Sequence, residues 1–170
     1  MYDIPVGKGK SFTTRSKALD YALGNWQLSG ILSLHSGTPF DVTVSNGDTA
    51  GTGNGTERAN LLASNPYASG QGPLVYLNPN AFGVPALATY GDLGRNSLRT
   101  PSFHNLDISL ERNFPFRDRA NLQFRADAFN MSNSVVFGGP NSTLGNNNFG
   151  IITGTANVAR QVQFSMKLVF

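Results

Sequence analysis

Arg160-Gln161-Val162-Gln163-Phe164-Ser165-Met166-Lys167-Leu168-Val169-Phe170 alternates in character along nearly its whole length. Every even position from Val162 to Phe170 is apolar. The odd positions from Gln161 to Lys167 are polar, and only Val169 softens that face. Successive side chains of a strand point to opposite faces, so this segment reads as a strand with one greasy face and one wet face, closing on an aromatic. Three segments upstream repeat the pattern. Trp26–His35 sets Trp26, Leu28, Leu32 and Leu34 against Gln27, Ser29, Ser33 and His35, with a gap at Gly30 and an exception at Ile31. Asn105–Glu111 sets Leu106, Ile108 and Leu110 against Asn105, Asp107, Ser109 and Glu111. Asn121–Ala128 alternates in the same way, and Tyr2–Val6 reads as the end of a fifth strand cut off by the start of the chain. The regular cores run about 7–10 residues, near the ~9–11 that cross a bilayer at a tilt.

The composition suits strands and loops better than helices. Hydrophobic residues make up 39% and charged residues 14%, both below the usual shares, and glycine alone contributes 19 residues. The net charge is only +3 and no Lys/Arg run forms a patch, which argues against a nucleic-acid partner. There is no cysteine, hence no disulfide framework and no thiolate metal site. No stretch of ~18 apolar residues exists, so no transmembrane helix is expected; a barrel strand escapes that test because only every second residue is apolar. Met1-Tyr2-Asp3-Ile4-Pro5 is not a charged-then-apolar leader, so an exported chain would have its true N-terminus elsewhere.

The connectors alternate between short and long. Asn113–Ala120 reads as a tight turn, with Pro115 barring a ladder bond. Phe40–Pro101 is a loop of about sixty residues, and Ser132–Val158 is a second long loop rich in Asn and Gly. Gly7–Leu23 reads as a turn with a short helical piece over Ser16–Leu23. Compact soluble domains rarely carry structureless loops beyond ~15 residues. Outer-membrane barrels join strands by short periplasmic turns and long extracellular loops.

Alternation by itself fits a soluble β-sandwich as well as a membrane barrel. Three features favour the barrel. The wet face carries charges of both signs on neighbouring strands (Asp107, Glu111, Arg125, Asp127 and Lys167), the connectors alternate short and long, and the chain stops on its last strand. The expected fold is all-β: about five antiparallel up-and-down transmembrane strands, an incomplete barrel, with long loops. Those five charged residues face the lumen in this reading, and the location is the outer membrane of a Gram-negative-type cell. If Phe170 ends in the periplasm, the 132–158 and 40–101 loops lie outside. Trp26, Phe114, Phe116 and Phe170 then share one membrane level, as an aromatic girdle would.

Candidate chemical sites fail on spacing. Asp107 and Glu111 are four strand residues apart, about 14 Å, whereas a glycosidase pair needs ~5–9.5 Å. His35 and His104 have no neighbouring ligand pattern. Gly7-Lys8-Gly9-Lys10-Ser11 lacks the upstream glycine of a phosphate loop, since Ile4 stands there. Gly51-Thr52-Gly53-Asn54-Gly55 reads as a flexible loop, and Asp48, Asn54 and Glu57 do not have the spacing of a calcium loop. No enzyme and no cofactor are expected.

Several stretches resemble the C-terminal part of TonB-dependent outer-membrane receptors, most closely those with an N-terminal carboxypeptidase-regulatory-like domain. They are Gly24-Asn25-Trp26-Gln27-Leu28-Ser29-Gly30 with Ser36-Gly37-Thr38-Pro39-Phe40, then Asn78-Pro79-Asn80-Ala81-Phe82, Gly91–Pro101, Leu122–Asn130 and the terminal Phe170. Together they span nearly the whole chain. The resemblance implies TonB-driven uptake of a scarce, bulky ligand through a plugged barrel of about twenty-two strands. It implies that the barrel-assembly machinery reads the Phe164, Met166, Leu168 and Phe170 end, with outer-membrane lipid around the wall. The sequence departs from the family by lacking a plug and a TonB box and by having too few strands, when the smallest single-chain barrels use about eight. Residues 1–170 are therefore expected to be the C-terminal portion of such a barrel, a fragment or truncated product whose plug, and with it the TonB complex, lies outside. The ligand is not named by the sequence; Tyr67, Tyr76, Phe82 and Tyr90 in the long loop are its candidate contacts. A plug-free porin or adhesin barrel and a soluble β-sandwich binding module stand as alternatives.

Overall fold

The computed structural model describes every residue except 8, 13–15, 46, 54 and 117–119, with backbone alone for residues 17, 20, 71 and 116. In chain order the elements are β1 Tyr2–Asp3, α1 Lys17–Leu23, β2 Trp26–His35, β3 Pro39–Phe40, β4 Thr43–Val44, β5 Asn60–Leu61, β6 Tyr67–Gly72 and β7 Val75–Leu77. There follow a 3-10 turn at Pro79–Ala81, then β8 Phe82–Gly83, β9 Leu98–Arg99, β10 Phe103–Phe116, β11 Ala120–Phe129, β12 Thr143–Leu144 and β13 Gln161–Val169. They divide into two compact units. The first comprises residues 1–33, 104–134 and 158–170; the second comprises residues 34–103 and 135–157.

The first unit is the sheet. Five strands lie in the order β1-β2-β10-β11-β13. β1 with β2, β10 with β11, and β11 with β13 pair antiparallel. The sheet is open, with β1 and β13 at its edges. Its four long strands coincide with the four alternating segments, because period-2 patterning commits each one to a face. Register then aligns the faces. Ile108, Leu110 and Phe114 oppose Ala128, Ala126 and Leu122, and these oppose Val162, Phe164 and Leu168. The odd face runs Glu111–Arg125–Ser165 and Ser109–Asp127–Gln163.

One expectation needs correction here. The tight turn over Asn113–Ala120 is shorter than its sequence suggests, because β10 continues through Pro115, which sits opposite Asn121. An antiparallel residue directs its N–H to one side only, so a proline disturbs the ladder only where that side is the paired one. Residues 117–119 lie outside the described residues.

The second unit corrects the reading of the long loops as structureless. Both fold together. β4 and β12, one from each loop, pair in parallel, while β3–β9, β5–β8 and β6–β7 form short antiparallel pairs. The core holds Val42, Ala59, Leu77 and Ala81 at 0% exposure, with Leu93, Leu98, Val44, Phe82, Ile152, Tyr76 and Phe149 around them. Each fully buried large apolar side chain contributes roughly 1.5–3 kcal/mol, enough to hold segments that pair over only two or three residues. Glycines permit close backbone approach: a Cβ on Gly37 would stand 1.6 Å from the Thr100 carbonyl oxygen, and one on Gly91 would stand 1.8 Å from that of Arg58.

Candidate functional site

The odd face of the sheet gathers the charged residues. Arg125 donates from Nε to both carboxylate oxygens of Asp127, each at 3.0 Å, and its guanidinium lies 3.9 Å from Glu111. Gln123 donates to Glu111, and Asn105 donates to Asp107 at 2.9 Å. The backbone N–H of Asn130 also donates to Asp107. Lys167 stands opposite Gln123. All five charged residues thus share the wet face, but their pairing differs from a simple balance. Arg125 serves Glu111 and Asp127, while neutral amides serve Asp107. A cleft of about 250 Å³ lies on this face between Ser29, Ile31, Asp107, Ser109, Arg125 and Asp127.

The even face is apolar and open. Phe164, Met166 and Leu168 are 58–73% exposed. Leu28, Leu32, Leu34 and Phe170 on the same face are exposed too. Trp26 packs edge-on against Phe124, and Phe124 stacks on Phe164. The expected single aromatic level resolves into three successive rungs. Register joins Arg112–Phe124–Met166, then Phe114–Leu122–Leu168, then Phe116–Ala120, beside which Phe170 ends the chain. Trp26 belongs to the innermost rung through Phe124.

Sequence reasoning missed Arg112, which occupies that apolar face. It is 3% exposed, with its guanidinium 4.3 Å from the Phe114 ring centroid, 5.5 Å from Tyr21 and 5.6 Å from Trp26. It donates to the carbonyls of Tyr21 and Ala22 at the end of α1. Its Nε has no acceptor among the described residues. The available signal was the parity of Leu106, Ile108, Leu110, Arg112 and Phe114: one cation in an apolar row. Asn130 was also missed. Buried at φ 49°, it donates to the carbonyls of Ser134 and Val158 and accepts from the Ser134 N–H, tying the end of β11 to the start of the last strand's approach.

In the second unit the four candidate ligand contacts separate. Tyr76 and Phe82 are buried in the core, Tyr67 is half-buried against it, and Tyr90 is exposed. Tyr76 donates its hydroxyl to the Arg99 carbonyl at 2.9 Å, and burial, with Tyr67 nearby, pushes its phenol above the usual range. A cleft of about 270 Å³ runs past Tyr76, Thr100, Ser102, Phe137 and Ile152. His35 stacks flat on Phe103 at 4.7 Å. Asp48 accepts from the backbone N–H groups of Thr52 and Gly53, so its oxygens organise their own turn. Asn54, the calcium candidate beside it, and Lys8 of the lysine-glycine run lie outside the described residues. Among the described residues no three His, Cys, Asp or Glu side chains cluster as metal ligands.

A sheet with one apolar face broken by the caged Arg112, one charged face and an aromatic band at one end is the wall of an outer-membrane β-barrel. The family model described as outer membrane beta barrel domain matches residues 1–163, and the chain belongs to that family. The apolar face is accordingly the face toward outer-membrane lipid, and the soluble sandwich is set aside. No curated protein and no solved structure matches the chain.

Proposed function

We propose that the chain forms part of the wall and the folded surface loops of a TonB-dependent receptor that imports a bulky ligand across the outer membrane. The observation that carries this reading is the second unit. Two loops far apart in sequence share one buried core and a parallel strand pair. Recognition of a scarce ligand benefits from preorganised rather than mobile loops, because less ordering entropy is lost on binding. Three of the stretches resembling TonB-dependent receptors lie in this same unit, at Ser36–Phe40, Asn78–Phe82 and Gly91–Pro101. Tyr90 and the cleft beside Tyr76 are the places in this unit where a ligand finds an accessible ring and hydroxyls. Tyr76 and Phe82 act by holding that surface in shape. The charged odd face lines the lumen, with the barrel-assembly machinery reading the apolar face of β13 and TonB acting through a plug on the parent receptor.

The test compares a strain lacking the gene with one lacking TonB, grown on a panel of iron chelates, oligosaccharides and peptides as sole sources. Both strains should lose growth on the same nutrient. Growth lost without the gene but kept without TonB would overturn energised import in favour of a passive porin.

A further inference from the structure

We propose that α1 is an interfacial anchor, pinned by Arg112 and Trp26 to the lipid side of the barrel wall so that Leu19 and Leu23 enter the headgroup boundary of the bilayer. The inference rests on the outer-membrane family and is independent of what the parent transports.

The geometry starts from the backbone. α1 ends at Leu23, and Asn25 takes φ 60°, which reverses the chain sharply into β2 at Trp26. Gly7 lets the preceding segment come close, since a Cβ there would stand 2.9 Å from the Gly24 Cα. The reversal brings the last carbonyls of α1 over the even face of the sheet. Two donors from that face meet them. The Trp26 indole N–H donates to Ala22 O at 3.1 Å, and the Arg112 guanidinium donates to Ala22 O and Tyr21 O. A helix C-terminus carries partial negative charge on its unpaired carbonyls, so a cation there is favourable. The Tyr21 ring lies 6.0 Å from Phe114, completing a cage around Arg112.

This accounts for a cation on a lipid-side face. Uncompensated, an arginine there is costly; near the interface, with carbonyls and rings around it, the cost is met locally. Its rung, Arg112–Phe124–Met166, lies four residues along β10 from Phe116, hence close to the end of the sheet where Trp and Tyr favour the membrane interface. On α1, Leu19 and Leu23 are one turn apart and share a face, and both, with Tyr21, are more than half exposed. Short apolar helical faces of this kind settle about 5–10 Å into the headgroup and acyl boundary.

Trp26 is the single tryptophan and the chain has no cysteine, so both make clean probes. The full chain is bound to phosphatidylcholine vesicles brominated either near the headgroups or near the chain ends. Shallow bromines should extinguish more Trp26 emission than deep ones. Stronger loss with deep bromines, or no loss in the vesicle-bound chain, overturns the anchor while leaving the barrel wall intact. A chain that fails to bind vesicles overturns the lipid-facing assignment and the anchor with it. In a second arm, Leu19→Cys and Leu23→Cys carry a polarity-sensitive dye, which should emit to the blue in vesicles. Adding Arg112→Gln should shift the Leu23→Cys label to red, water-like emission with vesicle binding retained. An unshifted label would show that α1 meets lipid without Arg112 and overturn its positioning role.

Discussion

Leu77 and Phe164 carry apolar side chains of similar appetite and end in opposite places. Leu77 is 0% exposed in the core of the second unit, and Phe164 is 69% exposed on the face of β13. The same chemistry is satisfied by two solvents: the protein's own interior in one unit, and lipid around the other. Stability therefore responds to different perturbations in the two regions. The largest effect is expected from Leu77→Ala, which leaves a cavity in a closed core and should cost about 2–5 kcal/mol. Urea titration followed by protease cleavage within residues 34–103 should register it in detergent and in lipid alike. A loss that appears only in lipid would break the distinction between the two regions.

The lipid side has its own signature, which is depth. Phe164→Lys, one rung deeper than Met166, should cost more in bilayers than Leu168→Lys, moving from the about 0–1 kcal/mol of an interfacial site toward the about 2–4 kcal/mol of the midplane. Reversible unfolding in vesicles, monitored by Trp26 emission, measures both. Equal costs at the two positions would mean that this face meets something other than a graded bilayer.

The strands were legible because period-2 alternation is local. The residues that define each face of β2, β10, β11 and β13 can be read two at a time, and the sheet order followed from their connectors. The second unit was illegible for the opposite reason. Its core draws single residues from distant points, such as Val42, Leu77, Leu93, Phe149 and Ile152, and its strand pairs are two or three residues long. No window of sequence carries a period there, so long-range burial looks like loop. The same gap hid where Tyr76 and Phe82 sit: as aromatic residues in an apparent loop they suggested ligand contacts, and the structure buries both in the core of the second unit. The charged face was legible as a face, but not its bonds. Asp107 turns to Asn105 and Asn130 because the chain reverses at Asn130, which no spacing announces. Arg112 was legible by parity alone, one residue beyond the stretch read as a strand.

The polar face sharpens the comparison from the other side. Arg125 bridges Asp127 and Glu111 but its side chain is 49% exposed, so Arg125→Gln should cost only about 0–1 kcal/mol, as exposed pairs do. A measured loss above about 3 kcal/mol would be the mark of a broken buried pair and would make this face an interior rather than a solvated lumen.

The smallest effect belongs to the turn around Asp48. The N–H groups of Gly53 and Thr52 hold its carboxylate below the usual carboxylate range. A depressed folded-state pKa means that the contribution is present above the ordinary carboxylate pKa and is lost as pH falls through the lower, folded value. The turn should therefore stay closed at neutral pH and loosen only under strong acid, below about pH 4. Amide hydrogen exchange at Thr52 and Gly53 should accelerate, relative to the intrinsic rate, in that window alone. Asp48→Asn should remove the pH dependence without moving exchange at Leu77 or in β11. Acid-linked opening that spread from this turn to Leu77 would show that the surface turn and the core of the second unit open together, so that even the buried region answers to water as well as to its own packing.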